Sequence, residues 1–346
     1  QQSAGQMAAQ LRGMNEQLKD LIEAGDLNGL VRAVDGLCAA RAWEELVDLA
    51  EACEHALERG KQLWPIAAHI DYRIALEAPG DYAAGVLHPD VGRFAHGPLT
   101  EVAASTHTWA ELAGHIEEPQ LACYVAQERV LRGEVVTEDE RAHLEILELP
   151  GALVEWEPAY ALTLYRSDHV EVQEPWGADA RLEKVDVPPG QRLDEPELTQ
   201  ALLDLVHPWT AESNGAARAV VVEGGALQAV DSLTTFEARV GEIDAATAIN
   251  RIAWAAASGG AHGRRRGAAL GRSMAWYLGA LVCDLQWPPD PARLGAELAR
   301  LRWFLWDEGA PEEGWTLRIA VEDSDNNWGA AIGATDLLAE DEQDER

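Results

Sequence analysis

The stretch TLRIAVEDSDNNWGAAIGAT, residues 316–335, contains a run of regular alternation and a second run, joined by a polar turn. In the first run Leu317, Ile319 and Val321 share one face, and residues 328–335 have the pattern of a return strand. A period of two is typical of a β-strand with one buried face, and the intervening Asp, Ser and Asn residues favour a turn. The stretch therefore predicts an antiparallel hairpin near the end of the chain.

The first third of the chain has a different period. Apolar residues recur three or four positions apart between residues 14 and 133, as in Leu46, Ala50 and Cys53, and short turns separate the runs. This spacing predicts successive amphipathic helices. Such helices form either solenoid-like stacks of helical hairpins or an irregular bundle, and no fixed repeat length decides between the two.

Beyond residue 155 both periods occur. Alternation predicts strands at residues 160–166, 169–173, 184–187 and 217–225, and helical spacing predicts helices at 196–206, 266–286 and 290–309. The predicted fold class is α+β: an all-α helical-hairpin domain at 1–133, a junction at 134–155, and a domain at 156–337 with an antiparallel sheet and helices packed on one side. Residues 338–346 are acidic and are expected to be disordered.

The charge of the chain restricts its partners. Sixty Asp and Glu residues oppose 27 Lys and Arg residues, which gives a formal net charge of −33. Nucleic acids and anionic membranes would be repelled by most of such a surface, so neither is expected as a partner. No apolar run is long enough for a membrane helix and no secretory pattern begins the chain, so we expect a cytoplasmic protein.

Motifs that carry chemistry are missing or incomplete. The sequence has no G-x-S-x-G, no H-E-x-x-H and no C-x-x-C, and its four cysteines lie far apart. Asp323, Asp325 and Asn327 alternate like the ligands of an EF-hand loop, but Trp328 stands where that loop needs glycine and Ala334 where it needs glutamate. The sequence therefore predicts no catalytic residue, no metal ligand and no cofactor, and enzyme activity is not expected.

Four small residues recur every fourth position in the predicted helix at 266–286. Gly267, Gly271, Ala275 and Gly279 form a narrow stripe along one side. Glycine inside a helix costs roughly 1 kcal/mol relative to alanine, so the stripe indicates that another segment packs closely against it.

The stretch GGAHGRRRGAALGR, residues 259–272, carries three consecutive arginines at the predicted N-terminus of that helix. The helix dipole disfavours cations there, so an anion is expected nearby. Three sources remain open: carboxylates of the chain itself, an acidic surface of a partner, or a bound phosphate or carboxylate. The residues predicted to contact a small anion are His262, Arg264, Arg265, Arg266 and Arg272.

The segments GGAHGRRRGAALGR, LRWFLWDEG and GWTLRIAVEDSD resemble an uncharacterised family of actinobacterial proteins of similar length. The resemblance covers mainly residues 250–336. It implies a bacterial cytoplasmic protein with a genuine C-terminal domain, and it implies no catalytic residues.

These observations favour a non-enzymatic protein-binding or scaffold protein, with a protein partner or a second copy of the chain as its ligand. The alternative is an enzyme or sensor for a small anion bound at the arginine-rich turn, residues 262–272, with His262 as its acid or base.

Overall fold

The computed structural model describes residues 15–88, 97–173, 180–234, 237–309 and 314–337, and the predicted acidic tail lies outside them. The described residues form two compact units. The helical unit comprises residues up to 132 together with 136–143 and 164–171, and the α+β unit comprises 133–135, 144–163 and the residues from 172 onwards. The α+β class predicted from the alternation is confirmed, whereas the predicted domain boundaries stay a prediction.

The helical unit is built from short helices whose apolar faces meet. Asn15 and Asp26 cap the first two helices by accepting backbone N–H groups, and Pro119 begins the last helix at a position where its missing donor costs nothing. Its described α-helices are α1 (Glu16–Ala24), α2 (Leu27–Ala40), α3 (Trp43–His55), α4 (Trp64–Glu77), α5 (Gly80–Gly85), α6 (Leu99–Thr106), α7 (Trp109–Leu112) and α8 (Pro119–Leu131).

Two helices of this unit are buried on most of their circumference. α4 contacts α2, α3, α5 and α6, and five consecutive residues from Tyr72 to Leu76 are buried. α8 buries apolar and polar residues alike, including Gln127 and Glu128. The four helices that contact α4 lie within two helices of it along the chain, a range that both stacked helical hairpins and an irregular bundle allow, so both alternatives stay predictions.

A small hairpin completes the helical unit. β1 (Leu164–Tyr165) pairs antiparallel with β2 (Val170–Glu171), at the position where the alternation predicts a hairpin but over fewer residues. The Tyr165 hydroxyl donates to Glu101 Oε2 at 2.9 Å, and the Tyr72 hydroxyl donates to the Arg166 carbonyl at 2.5 Å. These two bonds fasten the hairpin to α6 and α4.

The α+β unit contains a seven-stranded sheet in which every neighbouring pair is antiparallel. The strand order is β3-β6-β7-β8-β9-β5-β4. The predicted hairpin of residues 316–335 is confirmed at its centre, with Val321 opposite Ala330. The strands are β3 (Glu183–Lys184), β4 (Gln191–Arg192), β5 (Ala216–Glu223), β6 (Arg239–Ile243), β7 (Arg302–Asp307), β8 (Trp315–Asp323) and β9 (Trp328–Asp336).

Helices cover both faces of this sheet. One face, with Leu317, Ile319 and Val321, packs against α12 (Ala245–Ala257), α13 (Ala268–Val282) and α14 (Pro291–Arg300), with α9 (Pro196–Asp204) and α10 (His207–Ala211) at one end. The opposite face, with Val220 and Ala320, packs against α11 (Ala226–Asp231). The expectation that helices lie on one side only is therefore wrong for α11.

The helix predicted at 290–309 is wrong in its second half, which forms strand β7. Helix α14 begins at the predicted position, with Asp290 accepting the Arg293 N–H, but it ends at Arg300. Trp303 and Leu305 pack on one face of the sheet while Phe304 and Trp306 pack on the other. A strand buried on both faces is a continuous apolar run, which periodicity cannot distinguish from a buried helix.

The helix predicted at 266–286 is shorter in the structure: α13 begins after Gly267 and ends at Val282. Gly267 has φ +93°, a conformation that glycine adopts without a steric penalty. None of the described helices combines the length and the apolar character needed to cross a membrane.

Candidate functional site

The arginine turn, residues 258–267, connects α12 to α13. Its backbone N–H groups point at carboxylates of the same unit: Ala261 donates to Asp336 Oδ2 at 2.6 Å, and Arg264 donates to Glu212 Oε2 at 3.0 Å. Asp336 is buried and also accepts from the Ser213 hydroxyl at 3.0 Å. Of the three anion sources left open by the sequence, the chain's own carboxylates therefore contact the turn directly.

Arg266 is a structural arginine. Its guanidinium donates to three backbone carbonyls, those of Ala256 at 2.9 Å, Leu205 at 2.7 Å and Asp204 at 3.1 Å. Burial lowers the pKa of Arg266, and the charges of Asp204 and Glu212 oppose that shift. These bonds satisfy carbonyls near the ends of α9 and α12, where helices leave acceptors unpaired.

Arg272 lies within α13 and is fully enclosed. Its side chain and that of Glu157 are both 0% exposed, and they form a bidentate pair of 2.7 and 2.8 Å. The guanidinium also donates to the carbonyls of Pro150 at 3.1 Å and Ala152 at 3.2 Å. An outside ligand would have to displace this internal pair, so the structure gives Arg272 a different environment from the turn.

The Glu157 carboxylate is held by three further hydrogen bonds. It accepts from Tyr160 Oη at 2.7 Å, Trp276 Nε1 at 2.9 Å and the Val154 N–H at 2.9 Å, and the Arg272 guanidinium lies 5.6 Å from the Trp276 ring centroid. Burial alone would raise the pKa of Glu157, but the Arg272 contacts outweigh it and hold the pKa below its usual value. The pair stays ionised because each charge is compensated.

The predicted anion set is therefore split among three environments. His262 and Arg264 are exposed, Arg265 and Arg266 are half-buried, and Arg272 is enclosed. The Arg264 guanidinium forms no hydrogen bond or ion pair with any residue that the structure describes. An anion at the turn would meet the carboxylates of Glu212 and Asp336 beside the arginines.

An arginine of the chain neutralises the carboxylates in the turn between β8 and β9. Arg300 donates to both carboxylate oxygens of Asp323, at 2.8 and 2.7 Å, and to Asp325 at 3.1 Å. These bonds, with Asn326, hold the pKa of Asp323 far below its usual value. Across the described ranges, no group of three or more His, Cys, Asp or Glu residues could hold a metal ion.

The cysteines and the two tryptophans of β7 are core residues. Cys38, Cys53 and Cys123 are buried and Cys283 is half-buried. Burial raises the pKa of Cys38 to about 11 and of Cys283 to about 12, so these thiols are protonated at neutral pH. Trp303 and Trp306 lie on opposite faces of β7, and both are buried.

Asp71 in α4 is an unusual carboxyl of the helical unit. Burial, together with the charge of Glu54, raises its pKa to about 7. No described side chain donates a hydrogen bond to it. A carboxyl with a raised pKa is a candidate acid or base, but a raised pKa by itself does not define a reaction.

The α+β unit also contains a cleft that the sequence analysis did not find. The acidic cleft has a volume of about 620 Å³, an apolar floor, and carboxylates without a basic side chain among them. Its described lining is Glu195, Glu197, Glu223 and Asp284, with Leu193, Leu198, Val221, Leu281, Val282, Trp328, Asn326 and Asn327. The acidic residues come from three separate parts of the chain, so no local motif could have identified them.

The carboxylates of the acidic cleft are largely uncompensated. Glu197 Oε1 accepts from the Tyr277 hydroxyl at 3.2 Å. Glu195, Glu223 and Asp284 are exposed, and their side chains form no ion pair or hydrogen bond with the described residues. Like charges around an apolar floor repel one another, so a cation bound between them would be favoured.

Comparison with known proteins places the chain in a family without assigning an activity. No curated protein and no solved structure matches it. A protein family described as a family of unknown function matches residues 28–337, which include both units and the acidic cleft. The chain therefore belongs to the family of unknown function DUF6183.

Proposed function

We propose that this protein is a non-enzymatic binding protein whose acidic cleft takes a basic, amphipathic segment of a partner protein. The observation that carries the proposal is the combination of uncompensated carboxylates with an apolar floor in one cleft. Lysine or arginine side chains would pair with Glu195, Glu223 and Asp284, while apolar side chains of the same segment would bury Leu281 and Trp328.

The charge of the whole chain supports this partner chemistry. A net charge of −33 attracts a cationic segment over a longer range than the cleft itself, which speeds encounter at low salt. The proposal includes a cytoplasmic location and an actinobacterial origin. The cationic partner would then be another protein of the cytoplasm.

The test is a fluorescence polarisation titration of the full chain with a labelled peptide of alternating lysine and leucine. The triple variant Glu195→Gln, Glu223→Gln, Asp284→Asn keeps the shape of the cleft and removes three charges. We expect it to bind the peptide at least about tenfold more weakly than wild type, since close charge pairs at interfaces carry more than 1.4 kcal/mol in total.

The matched control removes three exposed glutamates of the helical unit, Glu44→Gln, Glu58→Gln and Glu117→Gln. It changes the net charge by the same amount. Because none of these glutamates lines the acidic cleft, it should weaken binding less than about threefold. Equal losses in both triple variants would mean that the peptide reads only the overall charge. That result, or no binding by wild type, would overturn the proposal.

An anion site at residues 262–272 stays the alternative prediction. Its exposed members are His262 and Arg264, and the carboxylates of Glu212 and Asp336 already occupy backbone donors of the turn. Stabilisation of wild type by phosphate that is absent in Arg264→Ala would favour this alternative.

A further inference from the structure

Two arginines lie on the same face of the sheet as α11. Register places Arg218 of β5 and Arg318 of β8 opposite the same residue, Gly333 of the intervening strand β9. Neighbouring strands are about 4.8 Å apart, so the two arginine backbones stand about 10 Å apart on one face. Their side chains can therefore reach a common ligand above Gly333.

A cavity of about 110 Å³ lies between these arginines. Small residues, Ala216 and Gly333, leave the space open. A Cβ at Gly333 would stand 2.7 Å from a ring carbon of Trp306, so the ring lies directly against the strand. The cavity has the size for one small polar group, with the remainder of a larger ligand outside it.

The two arginines differ in how they are held. The Arg318 guanidinium lies 5.6 Å from the Trp306 ring centroid and pairs with Glu308 at 3.3 Å, and its side chain is 14% exposed. Stacking and pairing fix its position before any ligand binds. Arg218 is exposed and forms no hydrogen bond or ion pair with the described residues, so its donors are available.

The charge balance of the cavity is positive. Glu308 is the one carboxylate among the described lining residues, and it is engaged by Arg318 and by the Thr234 hydroxyl at 2.6 Å. Among the described lining residues, two guanidinium groups thus accompany one carboxylate, in a chain of net charge −33. This local excess attracts an anion although the surrounding surface repels one.

We propose that Arg218 and Arg318 form a binding site for a single carboxylate group of a small organic acid. The planar fork of a guanidinium matches the two oxygens of a carboxylate, and Arg218 supplies such a fork without a competing partner. One guanidinium fork satisfies both oxygens of a carboxylate, whereas a phosphate has further oxygens that need donors of their own. The site is independent of the acidic cleft, whose lining residues it does not share.

Isothermal titration calorimetry of the full chain at pH 8, with acetate, succinate and inorganic phosphate as probes, tests the site. We expect wild type to bind succinate and acetate more tightly than phosphate. Arg218→Gln should weaken carboxylate binding about tenfold or more, because a charge-assisted pair is lost. Arg218 has no described partner, so this variant is expected to fold like wild type.

The matched control is Arg293→Gln, which removes an exposed arginine of α14 and changes the net charge equally. It should leave carboxylate affinity within about twofold. A second variant, Ala216→Leu, fills the cavity without removing an arginine and should also abolish binding. Absence of carboxylate binding by wild type, tighter binding of phosphate, or equal losses in Arg218→Gln and Arg293→Gln would each overturn the proposal.

Discussion

At the residue scale, the arginines of the 259–272 stretch illustrate how context decides the role of a charge. Arg264 is exposed, Arg266 donates to backbone carbonyls, and Arg272 is enclosed with Glu157. A buried ion pair is strongly destabilised when one partner is removed, because the remaining charge has lost its compensation without regaining water. The Arg272–Glu157 pair is therefore the residue-scale feature whose loss has the largest expected effect.

Glu157→Gln should lower the free energy of unfolding at pH 7 by about 3–5 kcal/mol. The neutral amide keeps the shape of the side chain but leaves the Arg272 charge unpaired. Urea denaturation followed by tryptophan fluorescence measures the change. The control Glu155→Gln alters an exposed carboxylate and should stay within about 0.5 kcal/mol of wild type. A loss as small as that of the control would contradict the prediction.

The same pair gives an acid-dependent signature. Because the folded-state pKa of Glu157 lies below its unfolded value of 4.5, its ionisation stabilises the fold above that value, and the contribution disappears as pH falls through the folded pKa. The stability difference between wild type and Glu157→Gln should therefore shrink on acidification below about pH 4.5.

At the element scale, the three glycines of the small-residue stripe at α13 have different surroundings. Gly267 provides the positive φ before the helix. A Cβ at Gly271 would stand 2.3 Å from the Ala253 carbonyl oxygen of α12, so the two helices pack there backbone to backbone. A Cβ at Gly279 would meet side-chain ends of α14, those of Leu298 at 3.4 Å and Leu294 at 3.5 Å. The predicted close packing is confirmed at Gly271.

Gly271→Ala should destabilise the α+β unit by about 1–3 kcal/mol, because the added methyl group forces α12 and α13 apart. Gly279→Ala is the matched control on the same helix. Its methyl group makes an ordinary contact, and the higher helix propensity of alanine should leave stability unchanged or raised by up to about 1 kcal/mol. Thermal unfolding of both variants gives the comparison. Equal effects of the two substitutions would mean that α12 does not constrain Gly271.

Strand β7 marks the limit of sequence prediction at this scale. β8 alternates and β9 follows a polar turn as its return strand, so their pairing as a hairpin was predictable. β7 has apolar residues on both faces because α11 covers the second face, and its run of residues then fits a helix as well as a strand. The face covered by α11 is a tertiary fact, so the local pattern could not supply it.

At the scale of the whole molecule, the net charge of −33 dominates the electrostatics. Described ion pairs such as Arg302–Glu242 and Arg239–Asp307 neutralise part of the surface, but acidic residues outnumber basic ones by more than two to one. Self-repulsion of such a surface opposes compactness and is long-ranged at low salt.

Raising NaCl from about 0.01 M to about 1 M should raise the melting temperature by several degrees, since the Debye length falls from about 30 Å to about 3 Å. Differential scanning fluorimetry measures the shift, and KCl at the same ionic strength should give the same result if screening is the cause. A melting temperature that falls with salt would mean that surface ion pairs outweigh the repulsion.

Patterns within single segments predicted the fold class, the helices of the first third, the final hairpin and the close packing of α13, because each of these features depends on a local period. The locations of the two proposed sites depend on tertiary structure. The carboxylates of the acidic cleft and the arginines beside Gly333 are distant in the chain and meet only through strand register and helix packing. The partner of Arg272 lies 115 positions away, and no local period records a contact at that separation.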